Sequence, residues 1–332
     1  MFAFPVLIGD IGGTNARFAV VSGPGEPWNP LPRLLTASSP DPTGAIRETL
    51  RNYTGPPPRS AMIAVANRVD SLAVRLTNAD WIVDAEAIGT ALNLERVTLV
   101  NDYPPVAASV TALDAARGDL VPIGVAPQGQ SGTRVVLGPG TGLGVAALVP
   151  VEGRLAILAT EAGHAEFGPA EADEFALWPH LEPALGRISA EAVLSGPGLY
   201  RLAMALGRSH GENLPFRAPN DVFAAGREGH GLAREALALF TRFLGRFSGD
   251  MALTFEASGG VFIAGGIAPR MVDLLQAGEF RRAFDRKAPH DAWARQVPAS
   301  VITHPEPALL GLSALVSNPD RFVFPSQTWT AP

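Results

Sequence analysis

A chain of 332 residues with 47% hydrophobic and 17% charged side chains can bury a large core and is expected to divide into two domains. A formal net charge of −6 without a basic cluster argues against a nucleic-acid groove, and no segment approaches the roughly 20 uninterrupted apolar residues of a membrane-spanning helix. The absence of cysteine excludes disulfides, zinc-thiolate sites and thiol catalysis, and an N-terminus without a basic leader points to a cytoplasmic protein.

Apolar patterning predicts strands over 6–9, 16–22 and 33–37, a helix over 44–53, a strand over 61–66, a helix over 85–92 behind the cap Asp84, and a strand over 97–100. Between the first two strands stand Gly9, Asp10, Ile11, Gly12, Gly13 and Thr14. Glycines at a strand end let the backbone turn so tightly that successive N–H groups point outward, which is how protein holds phosphate without a side chain. Asp10 would repel phosphate oxygens unless a divalent cation lay between them, so the stretch reads as a Mg-nucleotide site. The plain alternative is an ordinary hairpin turn. Lys287 is the only lysine, which excludes a Gly-Lys phosphate loop and leaves backbone N–H groups, metal and arginine to hold phosphate.

Asn101, Asp102 and Tyr103 close the strand over 97–100. A carboxylate at the C-terminal end of a strand faces the crevice where α/β sheets bind ligands, and it can accept a proton from a substrate hydroxyl. Asp102 is therefore the candidate base. The alternative is that Asn-Asp ahead of Pro104 and Pro105 is turn chemistry alone.

The pattern then recurs. Strands are predicted over 134–137, 145–149 and 154–160, the first running into Gly138, Gly140, Thr141, Gly142 and Gly144. Helical stretches follow over 170–181, 190–194, 198–206 and 232–255. A strand over 261–264 ends in Gly265 and Gly266, Pro269 opens another helix, a strand covers 300–303, and a last helix over 307–316 is expected to pack on the first half. Two such halves suggest a duplicated α/β architecture with a cleft between them. A dinucleotide fingerprint fails because Leu143 and Val145 stand where glycine is needed, and a serine-hydrolase elbow fails at Val193.

Glu161, Gly163, His164, Glu166 and Phe167 form a third constellation. Glu161 and His164 have the spacing of di-metal carboxylate helices, but Gly163, Gly168 and Pro169 argue against a helix and hence against a metal site. Carboxylate and imidazole groups together suit a polyhydroxylated ligand.

The motifs in order are G-D-I-G-G-T-N-A-R at 9–17, T-N-x-x-W at 77–81, N-D-Y at 101–103, the second glycine turn at 138–144, E-x-G-H at 161–164, S-A-E-x-V-L-S-G-P-G at 189–198, and G-G-V-F-I-A-G-G-I at 259–267 followed by Pro269 and Arg270. In that combination the chain resembles the bacterial glucokinase family of the non-zinc type, within the actin, sugar kinase and Hsp70 fold superfamily. The resemblance implies an actin-like, ribonuclease H-like duplicated α/β fold, with a small domain of residues 1–112 plus 304–332 and a large domain of residues 113–303. It implies glucose and ATP as substrates, with Mg2+ oriented by Asp10 through water, and a homodimer. Asp102 becomes the catalytic base, and Asn101, Glu161, His164 and Glu191 contact the glucose hydroxyls. Gly9 to Thr14 together with Gly140, Thr141 and Gly142 contact the ATP phosphates, while Gly265 and Gly266 flank the adenosine. For Glu191 the role comes from the resemblance alone, since a Glu in the first turn of a helix is also favoured by the helix dipole.

One loop departs from the family. Ala66, Asn67, Arg68, Val69, Asp70 and Ser71 stand where the family usually has Ala-x-Pro-Val/Ile-x-Gly. In relatives this loop lies close to the sugar, so the hexose preferred, glucose against mannose or glucosamine, is open at this point, as is a non-catalytic actin-like nucleotide-binding protein.

Overall fold

The computed structural model describes residues 2–76, 79–126 and 131–332; Thr77 and Asn78 of the T-N-x-x-W motif lie outside the described residues. The chain divides into two compact units, one of Met1–Leu113, Leu148–Ala159 and His304–Pro332, the other of Asp114–Ala147 and Thr160–Thr303. The stretch Leu148–Ala159, expected in the larger domain, groups with the first unit. Among the described residues no helix is long and apolar enough to cross a membrane.

In the first unit the sheet runs Gln327–Thr330, Arg96–Asn101, Ser60–Val65, Val6–Ile11, Asn15–Val21, Trp28–Pro30. Val6–Ile11, Ser60–Val65 and Arg96–Asn101 are mutually parallel, and their near-continuous apolar runs suit strands covered on both faces. The first predicted strand is longer than expected: Gly9, Asp10 and Ile11 pair with Phe18, Arg17 and Ala16 and belong to the strand, not to the turn. Gly9 is glycine there because an added Cβ would lie 2.8 Å from the Phe18 ring. The strand expected over 33–37 shrinks to Leu34–Leu35, followed by a 3-10 turn over Thr36–Ser38. The cause is Thr36, whose hydroxyl donates to the Gly12 carbonyl at 2.8 Å and whose backbone N–H reaches Thr14 O at 2.9 Å. Asp41 caps a helix that begins at Pro42, earlier than expected, and Asp84 caps Ala85–Leu92 by accepting from Ala87 N at 3.0 Å.

Helix Pro307–Ser317 packs on helix Tyr103–Ser109 within this unit. The approach is so close that a Cβ on Gly311 would lie 1.6 Å from the Pro105 carbonyl oxygen. Gly311→Ala must therefore push the two helices apart, and we expect a loss of about 1–3 kcal/mol in unfolding free energy, read from urea denaturation. An unchanged midpoint would contradict this packing.

In the second unit, Arg134–Pro139, Gly260–Ile263 and Ala299–Ile302 form a parallel core, with Leu120–Pro122 antiparallel at one side and the strand that starts at Leu143 on the other. Helix Gly231–Phe255 covers it. The helix expected over 170–181 is instead Ala172–Leu177 followed by a 3-10 turn at Trp178–His180, where Pro179 cannot extend the ladder. The helix expected at 198 starts at Gly196, capped by Ser195 Oγ accepting from Gly198 N at 3.0 Å, and runs to His210. After Gly266 the chain forms a 3-10 turn over Ala268–Met271 and then helix Val272–Gln276.

Candidate functional site

Two sets of candidate residues lie one in each unit, and each is built by its own sheet. In the first unit the registers Ile11↔Val65 and Val65↔Asn101 align three parallel strands at their C-terminal ends. Gly12 and Asp102 therefore leave the sheet at the same edge, two strand spacings or about 10 Å apart. The turn itself is Gly12, Gly13 and Thr14, closed by Gly12 N donating to Asn15 O at 2.9 Å. It is a hairpin, as the plain alternative had it, and it is also the exposed end of the sheet edge where α/β proteins bind ligands.

Asp10 lies opposite Arg17, with Arg17 Nη1 3.3 Å from Oδ2. Burial raises the Asp10 carboxyl above its ordinary value, and the Arg17 charge works against that rise. Arg17 in turn reaches Glu306 Oε2 at 3.6 Å, and Glu306 also pairs with Arg33. This chain of alternating charge fixes the Asp10 side chain by one oxygen and leaves Oδ1 without a protein partner among the described residues. A carboxylate oxygen left without a protein partner, two residues ahead of the glycine turn, fits water-mediated Mg2+, which keeps most of its hydration and takes few protein ligands.

Asp102 occupies the N-cap position of Tyr103–Ser109 without capping it. That task falls to Asn101, whose Oδ1 accepts from Tyr103 N at 3.0 Å while its Nδ2 donates to Asn67 O at 3.0 Å. The local sequence had suggested a turn at Pro104 and Pro105. The prolines instead fill the first turn of the helix, where no backbone N–H is required. Asn101 thereby ties the altered loop to the strand end, since Asn67 also donates to Arg75 O at 2.8 Å.

In the second unit, Leu137↔Ile263 are register partners and Ala264 N donates to Leu137 O at 2.7 Å. The glycine turn after Leu137 and the pair Gly265, Gly266 thus leave the same edge of the parallel core. Gly140 N donates to Gly142 O at 2.8 Å, and Thr141 at the tip is exposed. His164, in the 3-10 turn Ala162–His164, stands between two carboxylates: Nε2 is 3.8 Å from Glu161 Oε2 and Nδ1 is 3.9 Å from Glu191 Oε1. These separations are too long for direct hydrogen bonds and short enough for ligand hydroxyls to bridge. Thr141, His164, Ser189, Glu191, Ser195 and Arg201 help line a cavity of about 180 Å3.

Sequence reasoning gave no role to Arg17, Thr36 or Glu306. The signal for Arg17 was available in the hairpin register, which sets it directly across from Asp10. For Thr36 and Glu306 no local signal exists, because both meet the site across long sequence separations.

A family model described as Glucokinase matches residues 7–319. The glucokinase of Brucella suis biovar 1 (strain 1330) is 41% identical over 322 residues, covering 97% of this chain and 93% of that protein. The crystal structure of glucokinase from an Antarctic psychrotroph is similar with a TM-score of 0.84 at 29% identity, covering 95% of this chain and 100% of that one. A ROK family glucokinase from Streptomyces griseus, in complex with glucose and AMPPNP, shares the fold with a TM-score of 0.63 at 21% identity over 93% of this chain and 98% of that one. The architecture is the duplicated α/β, actin-like fold of the sugar kinases.

Proposed function

The chain belongs to the glucokinase family, and from that premise we propose how its residues carry the transfer of the γ-phosphoryl group of ATP to the 6-hydroxyl of glucose. The products are glucose 6-phosphate and ADP. Asp102 accepts the hydroxyl proton as the sugar oxygen attacks phosphorus in line and the bond to the ADP oxygen breaks. The N–H groups of Gly12, Gly13 and Thr14 and of Gly140, Thr141 and Gly142 stabilise charge on the phosphate oxygens, in a chain whose single lysine, Lys287, rules out a Gly-Lys phosphate loop. Asp10 would hold Mg2+ through water, and the ion would supply charge neutralisation to the phosphates. Gly265 and Gly266 flank the adenosine, and Glu161, His164 and Glu191 hydrogen-bond the sugar hydroxyls. Asn101 positions the strand end and shares in sugar recognition. The family resemblance also supports a homodimer in the cytoplasm.

One observation carries the reading most: a glycine turn and a carboxylate that does not cap its helix leave the same C-terminal edge of one parallel sheet, two strands apart. A binding protein needs the first of these and not the second. The altered loop at Ala66 to Ser71, held through Asn67 and Asn101, favours testing other hexoses alongside glucose. In a coupled assay of ATP consumption over glucose, mannose and glucosamine, glucose is expected to give the highest kcat/KM. No ATP loss with any hexose would overturn the proposal in favour of a non-catalytic nucleotide-binding protein, and ATP loss that does not depend on sugar would overturn it in favour of an ATP hydrolase.

A further inference from the structure

We propose that Glu191 couples the sugar site to the second glycine turn, so that binding at one changes affinity at the other. The inference rests on the reading of Glu161, His164 and Glu191 as sugar contacts, and it adds a second duty for one of those carboxylates.

The two oxygens of Glu191 face different partners. Oε2 accepts the Leu143 N–H at 2.8 Å, and Oε1 lies 3.9 Å from His164 Nδ1. The main chain that carries Glu191 is fixed on both sides: Ser189 Oγ accepts from Ala192 N at 3.2 Å, and Ser195 Oγ donates to the Glu191 carbonyl at 2.8 Å. Movement of the carboxylate then comes from rotation of its own side chain, which breaks or stretches the bond to Leu143 N, and not from a shift of its helix. The turn is equally constrained, since Gly140 O accepts from Gly196 N at 2.8 Å and Gly140 N donates to Gly142 O at 2.8 Å.

The peptide between Gly142 and Leu143 is where the two sides meet. A Cβ on Gly142 would lie 2.5 Å from Glu191 Oε2, whereas a Cβ on Gly140 would meet nothing within 4 Å. On the other side, a Cβ on Gly163, the residue before His164, would lie 2.0 Å from Leu143 O. Leu143 therefore gives its N–H to one sugar residue and presses its carbonyl against the chain that presents another. A hydrogen bond from a sugar hydroxyl to Glu191 Oε1 changes the position and charge of the group that holds the turn. Thermodynamic linkage then requires that nucleotide held by the turn alter sugar affinity by the same factor.

The test is calorimetric titration with glucose and with Mg-AMPPNP, each alone and in the presence of the other, on the full chain. Gly142→Ala should raise the glucose Kd about tenfold with no nucleotide present, a size typical of coupling between sites, while Gly140→Ala should change it less than about twofold. Glu191→Asp, shorter by one methylene, makes room for the added methyl. The Gly142→Ala/Glu191→Asp double variant should therefore bind glucose within about twofold of Glu191→Asp alone. In Glu191→Asp itself, which needs no crowded substitution to fold, the factor by which glucose alters the AMPPNP Kd should fall towards one.

A Gly142→Ala variant with the wild-type glucose Kd overturns the coupling. So does an equal loss in the Glu191→Asp background, because the effect would then reach the sugar by another route. Wild-type protein that binds AMPPNP but no hexose overturns the function proposed above. The hold on the turn is then read from AMPPNP alone, where weaker binding by Glu191→Ala supports it and an unchanged Kd refutes it.

Discussion

Asp102→Ala is expected to lower kcat by about 10²–10⁴-fold, the range that removal of a general base spans, while the Kd for ATP stays within about twofold of wild type. The split follows from how the first unit is built. Asp102 leaves the strand Arg96–Asn101 one residue beyond the row shared by Ile11, Val65 and Asn101, while the glycine turn proposed to hold phosphate leaves from Ile11. Its removal takes no donor from the turn, and the helix that follows keeps its cap because Asn101 Oδ1 serves Tyr103 N. Nucleotide binding is thus expected to be spared while proton acceptance is lost. Steady-state kinetics with glucose and equilibrium titration with AMPPNP measure the two quantities separately. Activity within about tenfold of wild type would remove Asp102 from the role of base.

The largest stability effect is expected far from any proton transfer, at Glu174. Its side chain is 0% exposed, with Oε2 2.6 Å from Arg246 Nη1 and Oε1 3.1 Å from Arg242 Nε. The second contact lacks hydrogen-bond alignment and acts as a charge contact. Ala170 N also donates to Oε2 at 2.8 Å. Glu174→Ala would leave the Arg246 guanidinium beside a buried space without its anion, while Arg242 keeps Asp173 at 2.6 Å, and loss of one partner of a buried pair costs about 3–5 kcal/mol in comparable sites. The exposed pair Arg59 and Glu95 is the contrast: there Glu95→Ala should cost less than about 1 kcal/mol, since water already solvates both charges. Urea unfolding of both variants checks the difference. Arg246 also lies 4.3 Å over the Phe167 ring and donates to Gly168 O at 2.8 Å, just beyond His164. The Glu174 variant should for that reason raise the KM for glucose more than it lowers kcat.

Much of the scaffold was legible because its signals are local. The buried parallel strands are continuous apolar runs, Asp84 announces its helix by a capping residue, and the final helix was expected to return to the first half, where it packs on Tyr103–Ser109. What escaped depends on partners distant in sequence. Gln327–Thr330 alternates partly buried and exposed residues and is a strand only because Arg96–Asn101 offers it an edge. Helix Tyr103–Ser109 was hidden by two prolines that read as a turn and serve as a helix start. Helix Glu279–Asp285 carries only a brief local signal, the buried pair Phe280 and Phe284 four residues apart.

The candidate site was legible to a similar depth. The glycine motifs, Asp102 and the Glu161, His164 pair stand out by residue type and position. Their supporting contacts do not. Asp10 and Arg17 meet through hairpin register, and Glu191 reaches Leu143 across 48 residues of sequence. No spacing rule connects those two positions, so the contact between Glu191 and Leu143 is visible only in the folded chain.

The most direct measurement is the fate of the γ-phosphorus. With the chain, ATP, Mg2+ and glucose in one tube, 31P NMR should show ATP lost in step with a new phosphomonoester identified as glucose 6-phosphate and with ADP as the only other phosphorus product. ATP that persists, or that decays to ADP and inorganic phosphate, would contradict the transfer to the 6-hydroxyl on which the assigned roles depend.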